Sequence, residues 1–387
     1  MQNFVFHNPT KIIFGKETIH TIGAESAAFG KKALLVYGHS SIKKNSIYDQ
    51  VVQSLQEAGM EIIEHPGVQS NPVLSHVQKG IDLAKEHRVH VIVAVGGGSV
   101  LDSSKAIAAG ALVEHNVWKF FVGKKSVREA LPLTCVLTLA ASGSEMNSGM
   151  VVTNEETRQK FGFANKHLYP KTSILDPTAT FSVPPDYTAY GAVDAIVHVL
   201  EYYFTTEEPS VPVQDRFMEG LVINCMDSCD RVLQNLADYN ARADLMWAAT
   251  LALNGLTGAG LGKAGFPNHL IEHSLSAFYN VAHGAGLSVI LPGWMKYQAP
   301  KNPAKFAQFA ERVFGFDSGS DEQKANDAIL CLKGWFDKVK SPTSLTAINV
   351  PESDIPKIAE NAVGLAKVWR MPEYTAERIE KILRLCV

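Results

Sequence analysis

Two kinds of hydrophobic patterning divide this chain. Up to about residue 182, short apolar runs alternate with segments of helical period; beyond it, only the helical period recurs. KKALLVYG (31–38) is an apolar run ending in glycine, and SIYDQVVQSLQEAG (46–59) then spaces its apolar residues at helical steps until Gly59. MEIIEHPGV supplies a second strand. NPVLSHVQKGIDLAKEHRV predicts a helix with Asn71 as N-cap and Pro72 at the first helical position. HVIVAVGGGS (90–99) is a buried strand running into glycines, VLDSSKAIAAGAL is the helix after it, and LPLTCVLTLAASGSE (131–145) is a further strand with a small-residue turn. Alternating βα units imply a parallel sheet with helices on both faces. From Ala189 onward, GAVDAIVHVLEYYF, VQDRFMEGLVINCMDSCDRVLQNL, ARADLMWAATLALNGL and FAQFAERVFG all carry the helical period. The pattern predicts an α/β domain over 1–182 and an all-helical domain over 183–387.

Composition narrows the class. A length of 387 residues exceeds one ordinary core, in keeping with two domains. Hydrophobic residues make up 46% and charged residues 19%, the balance of a soluble globular protein. The net charge of −3, with no basic block, gives nucleic-acid binding no electrostatic support. No segment offers the roughly 18 consecutive apolar residues that a membrane span needs. The opening MQNFVFHNPTKIIFG lacks the charged and apolar regions of a signal peptide, and the five cysteines form no paired framework. A reducing cytoplasm is the expected setting.

The candidate chemistry lies first in the helical half. Asp194 and His198 stand four apart, so a carboxylate and an imidazole share one helix face. His269, His273 and His283 follow about seventy residues later, the first two again four apart. A lone histidine in an apolar helix is usually a hydrogen-bonded core residue. Asp194 and His198, however, lie among Ala, Ile, Val and Leu, where an unpaired charge costs several kcal/mol, roughly. A shared cation removes that cost, and carboxylate with imidazole is the ordinary donor set for Zn²⁺ or Fe²⁺. Spacing alone leaves open whether His269 or His273 is a ligand.

The first half carries a second signal. GGGS at 96–99 closes a strand and opens a helix, where backbone N–H groups can receive phosphate. It does not match G-x-G-x-x-G, and such turns often serve only tight packing. Two companions strengthen it: the Ser142-Gly143-Ser144 turn, and Gly38 to Ser41 after the first strand. In a parallel sheet all three would lie at the carboxyl edge, where a dinucleotide binds.

Together, NFVFHNPTKIIFG, VGGGSVLDSSKAIAAGA, VLTLAASGSEMNSG, SILDP (173–177), YGAVDAIVHVLEYYF and IEHSLSAFYNVAHGAGLSVILPGWMKY resemble, in order and end to end, the iron-containing (group III) metal-dependent alcohol dehydrogenases, in particular their butanol dehydrogenase and aldehyde reductase branch. The resemblance implies an N-terminal Rossmann-like nucleotide-binding domain and a C-terminal all-helical metal-binding domain, with the active site in the cleft between. It carries metal ligation onto Asp194, His198, His269 and His283, and leaves His273 near nicotinamide and substrate. Cofactor contacts carry over to Gly38, His39, Ser41, Asn71, Gly97, Gly98, Ser99, Asp102, Thr138, Ser142, Asn147 and Lys160. Asp102 and His273 are the candidate catalytic groups, with His273 a proton relay or a histidine that merely braces the site. The resemblance also implies a homodimer.

The chain departs from that branch at three places. Gly38-His39-Ser40-Ser41 stands where the branch carries Gly-Gly-Gly-Ser. NAD-specific relatives tend to place Asp there, which repels a 2′-phosphate; His39 does not, and Ser40 and Ser41 can donate to phosphate, so NADPH is expected over NADH. Ser142 replaces the usual Thr, and Phe266-Pro267 replaces Trp-Ala, altering the pocket wall. The expected reaction is hydride transfer between NAD(P)H and a small aldehyde or primary alcohol, with one Fe²⁺ or Zn²⁺ acting as Lewis acid. Two rivals belong to other classes. His269-Leu270-Ile271-Glu272-His273 fits the H-x-x-E-H pattern of a zinc metallopeptidase. A non-catalytic nucleotide-binding sensor would use the same fold.

Overall fold

The computed structural model describes all 387 residues. Contacts divide them into two compact units. One takes in residues 7–183 and 235–250, the other residues 1–6, 184–234 and 251–387.

The first unit is built on a parallel sheet. Strands β1 (Lys11–Phe14), β2 (Lys32–Tyr37), β3 (Glu61–His65), β4 (Val91–Gly96) and β5 (Leu133–Leu137) join β8 (Thr172–Leu175) in the order β1-β8-β5-β4-β2-β3. Every pairing in it is parallel. Strands β6 (Gly149–Asn154) and β7 (Gln159–Ala164) form a separate antiparallel hairpin. Helices α1 (Ile47–Glu57), α2 (Leu74–Glu86) and α3 (Gly98–Gly110) follow β2, β3 and β4. Ala33, Leu35 and Tyr37 pack with Val91, Val93 and Val95 and with Val51 and Leu55 of α1. The residues between them (Leu34, Val36, Ile92, Ala94) are buried as well. A strand covered on both faces reads as an unbroken apolar run, which is why β2, β4 and β5 are visible in the sequence.

The helix predicted from Asn71 begins later. It starts at Leu74, after Val73 in extended conformation. The Glu155 carboxylate, reaching over from the β6–β7 turn, accepts from the backbone N–H groups of Leu74 (3.1 Å) and Ser75 (3.3 Å). A distant carboxylate therefore caps α2 in place of a local side chain. Asn71 is left to accept from Lys160 Nζ at 3.0 Å.

The second unit is helical, as the periodicity predicts. Its main helices are α4 (Pro185–Thr205), α5 (Pro212–Gln234), α7 (Pro267–Tyr279), α8 (His283–Gln298), α9 (Asp321–Lys338), α10 (Ile355–Val368) and α11 (Ala376–Arg384). The intervening α6 (Tyr239–Ala252), which the sequence reading groups with this half, runs for all but its last two residues in the sheet unit. There Trp247 meets Phe14 edge to face, and Thr250 Oγ1 donates to the buried Glu145 at 2.5 Å. No helix in the chain is long and apolar enough to cross a membrane.

Helix α8 approaches α4 backbone to backbone. A Cβ at Gly284 would fall on the carbonyl oxygen of Tyr190. That oxygen belongs to main chain and cannot swing aside. Gly284→Ala is therefore expected to destabilise the protein by about 3 kcal/mol, the upper end of overpacking costs, measured by urea denaturation; wild-type stability would show that the helices separate freely.

Candidate functional site

Helix α4 is lined almost throughout with buried Ala, Val, Ile and Leu, yet it holds Asp194 and His198 at 3% and 4% exposure. Nothing apolar can satisfy them. Asp194 Oδ1 lies 3.5 Å from His198 Nδ1, 3.5 Å from His269 Nε2 of α7 and 3.6 Å from His283 Nε2 at the start of α8. Asp194 Oδ1, His198 Nδ1 and His269 Nε2 are buried without a hydrogen-bond partner. Buried polar atoms in native structures nearly always have partners, so three orphans aimed at one point fit a shared cation. Oxygen and imidazole nitrogen at this spacing suit Zn²⁺ or Fe²⁺.

The far nitrogens of two of these histidines are held by buried carboxylates. His269 Nδ1 lies 2.5 Å from Glu201 Oε2, and His283 Nδ1 is bonded to Glu272 Oε2. Burial pushes the His269 imidazolium down, but Glu201 and Asp194 outweigh it and lift its pKa to about 10. Burial lowers His198 to about 3, with Asp194 opposing and the other two histidines repelling its charge. Burial favours protonated Asp194, but the three histidines overcome it and hold the carboxyl well below its ordinary range. His273 sits one turn beyond His269, buried, with its ring centre 5.6 Å from those of both His283 and Trp369.

At the sheet, the three small-residue turns follow β2, β4 and β5, which are neighbours in the order β5-β4-β2. All three leave the carboxyl edge, beside the point where strand order reverses between β2 and β4. Gly38 to Ser41 follow β2, with His39, Ser40 and Ser41 exposed. Gly97, Gly98 and Ser99 open α3, and Ser99 Oγ donates to the Ser70 carbonyl. Thr138 continues β5, its N–H donating to the Gly96 carbonyl at 3.0 Å. A Cβ at Gly98 would collide with Ser142 Oγ, so these glycines also permit direct contact between two turns.

Behind those turns lies a polar cluster that joins the predicted Asp102 and Asn147 to Lys105, which sequence reasoning passed over. Lys105, wholly buried on α3, donates to Ser144 Oγ (2.9 Å), the Asn147 carbonyl (2.9 Å), Asn147 Oδ1 (3.1 Å) and the Gly149 carbonyl (2.7 Å). Burial lowers its pKa to about 8, with Asp102 opposing. Asp102 accepts from Ser144 Oγ at 2.6 Å and from the Val151 N–H at 3.1 Å. Burial raises its pKa, against the pull of Lys105. The signal was a lysine three residues beyond Asp102, hence on the same helix face, in a run of small residues. Glu201 was similarly readable, three residues beyond His198.

Comparison with known proteins agrees with both halves. The iron-containing alcohol dehydrogenase model matches residues 9–177, and the C-terminal model of the same family matches residues 188–387. The chain belongs to the iron-containing alcohol dehydrogenase family. It is 39% identical to a probable NADH-dependent butanol dehydrogenase 1 of Bacillus subtilis, over 99% of each chain. It is 37% identical to the NADPH-dependent aldehyde reductase YqhD of Escherichia coli, over 92% of each. Among solved structures, it is similar to an NADH-dependent butanol dehydrogenase A from Thermotoga maritima, with TM-score 0.96 and 46% identity over 100% of this chain and 99% of that one. An N-terminal Rossmann-like sheet and a C-terminal helical unit are thus the fold of this family member.

The metallopeptidase reading of His269 to His273 finds no support in these relatives, and the geometry shows why. Glu272 would have to activate a water, yet its carboxylate is fully buried and taken up by His283 Nδ1 and by Ser276 Oγ at 2.5 Å.

Two outcomes follow for solution measurements. The attraction that raises His269 stabilises the metal-free chain fully below its ordinary value of 6.5 and is lost as pH rises through about 10. At roughly pH 8, where His198 is neutral, metal binding should therefore expel about one proton from His269, read by calorimetry in buffers of different ionisation enthalpy. Buffer-independent heats would contradict this assignment. Replacing Lys105 by Met removes the one donor shared by Ser144 Oγ and the carbonyls of Asn147 and Gly149, and should cost about 3–5 kcal/mol in chemical denaturation.

Proposed function

We propose that this protein is an NAD(P)H-dependent alcohol and aldehyde oxidoreductase that reduces short to medium aliphatic aldehydes with NADPH. The observation that carries the reading is the convergence of Asp194, His198, His269 and His283 on one point with three buried donor atoms unpartnered. Bound there, a divalent ion, Fe²⁺ or Zn²⁺, supplies a Lewis acid for a carbonyl oxygen, and the reduced nicotinamide supplies the hydride.

The chain's own residues do the rest. Asp194, charged, and three neutral imidazoles hold the ion and leave it net positive. Gly97, Gly98 and Ser99 receive the pyrophosphate at the start of α3, where backbone N–H groups and the helix dipole favour an anion. Thr138, Ser142, Asn147, Lys160 and Asn71 complete the dinucleotide site. Asp102, whose two oxygens take protein donors, orders the turn that carries Ser142 to Asn147. His273, one turn from His269 and buried beside His283, is the group that would hand a proton to the substrate oxygen.

The relatives include both NADH- and NADPH-dependent enzymes by name, and the turn after β2 supports the latter here. His39 brings no negative charge, and Lys43 and Lys44 follow in the short helix Ser41–Lys44. The Glu64 carboxylate at the end of β3 is engaged by the hydroxyls of Tyr37 (2.5 Å) and Tyr48 (2.7 Å). An end strand such as β1, with its unpaired edge, supports a homodimer, and five free thiols suit the cytoplasm.

Aldehyde-dependent loss of reduced-nicotinamide absorbance tests the whole reading. Activity with butanal should appear, with kcat/KM for NADPH about tenfold above NADH, the scale of one charged hydrogen bond. Asp194→Ala should lose bound metal and turnover together. Tight nucleotide binding without turnover on any aldehyde would instead favour the sensor.

A further inference from the structure

His269 and His283 reach Asp194 through Nε2, and each has its Nδ1 closed off by a different buried glutamate. Both glutamates are completely buried. Neither is a neutral bystander with a choice of orientation. Glu201, on α4, also accepts from the backbone N–H groups of Asn268 (2.5 Å) and His269 (3.2 Å), so the first turn of α7 fixes it. Glu272, on α7, accepts from Ser276 Oγ at 2.5 Å and is confined from the opposite side by α8. A Cβ at Gly286 would lie 2.7 Å from both Glu272 Cγ and Oε1.

An imidazole whose Nδ1–H is committed to a carboxylate has only Nε2 left for an ion, and it is the more basic donor for that bond. Three carboxylates thus bear on a site that would hold two positive charges, Asp194 directly and Glu201 and Glu272 through their histidines. The excess acts through the histidines and so strengthens retention of the ion.

We propose that Glu201 and Glu272 are positioning residues of the metal centre, each locking one histidine into its Nε2-donating form, and that Gly286 is glycine to leave Glu272 its place. The proposal rests on the metal-centre reading above. It also extends to a position, Gly286, that touches no donor atom.

The test uses the full chain stripped of metal by chelation and titrated with Zn²⁺ against a competing chelator, with Co²⁺ as a spectroscopic probe. Wild type should take up about one equivalent and Asp194→Ala none. Glu201→Gln, Glu272→Gln and Gly286→Ala should each bind Zn²⁺ about ten- to a hundredfold more weakly, with an altered Co²⁺ visible spectrum. Weakening in Gly286→Ala, which keeps every polar group, would support the role assigned to Glu272 independently of its charge. Wild-type affinity in both glutamine variants overturns the proposal. So does a lowered melting temperature of the metal-free variants with an unchanged Co²⁺ spectrum, the mark of a purely structural role. Should Glu201→Gln fail to fold, the Glu272 and Gly286 variants decide alone. A wild type that binds neither ion would instead sink the metal-centre reading itself.

Discussion

A carboxylate placed where water cannot reach it governs the helical unit. Asp194 sits on a helix whose other neighbours are almost all hydrocarbon, and burial by itself would neutralise it. It stays charged because three imidazoles from three helices face it. The helices α4, α7 and α8 therefore cannot be arranged by apolar packing alone: their relative placement must bring His198, His269 and His283 to within 3.6 Å of one oxygen. Hydrophobic burial supplies the stability, and the polar demand selects which packing is used.

The sheet unit answers a similar problem with a cation. Lys105 is the buried charge there, and its partners are mostly carbonyl and hydroxyl oxygens of the segment that precedes β6. A single ammonium group thereby fixes the course of a turn with no regular backbone ladder of its own. Rigid placement of irregular chain beside a sheet edge is what a nucleotide site requires, since loops gain precision only from the scaffold beneath them.

The sequence disclosed these features unevenly, for physical reasons. Strands β2, β4 and β5 are legible because burial on both faces demands unbroken apolar runs, and the helices beyond residue 184 because their period is sustained. β1 and β8 are only four residues each and carry too little pattern. Asn71 and Pro72 look like a helix start, but the capping carboxylate comes from Glu155, eighty residues away in sequence, and no local pattern contains it. Asp194 and His198 announce themselves by spacing. His269 and His273 share that spacing with each other, and only tertiary placement sets His269 Nε2 against Asp194. Glu201 and Lys105 lie one helical turn from residues already singled out, so a wider look along those same faces would have found them, whereas Glu272 was noticed only as the glutamate of a peptidase-like pattern.

The two glycines near the start of α8 carry an implication for how such a centre can change. Gly284 lets α8 touch the main chain of α4, and Gly286 gives room to a side chain of α7. The separation of the donors is thus dictated by how closely bare backbone can approach, not by the reach of flexible side chains. Accommodating a larger or differently coordinated ion would demand that whole helices be respaced, and exchanging one ligand residue for another would not achieve it.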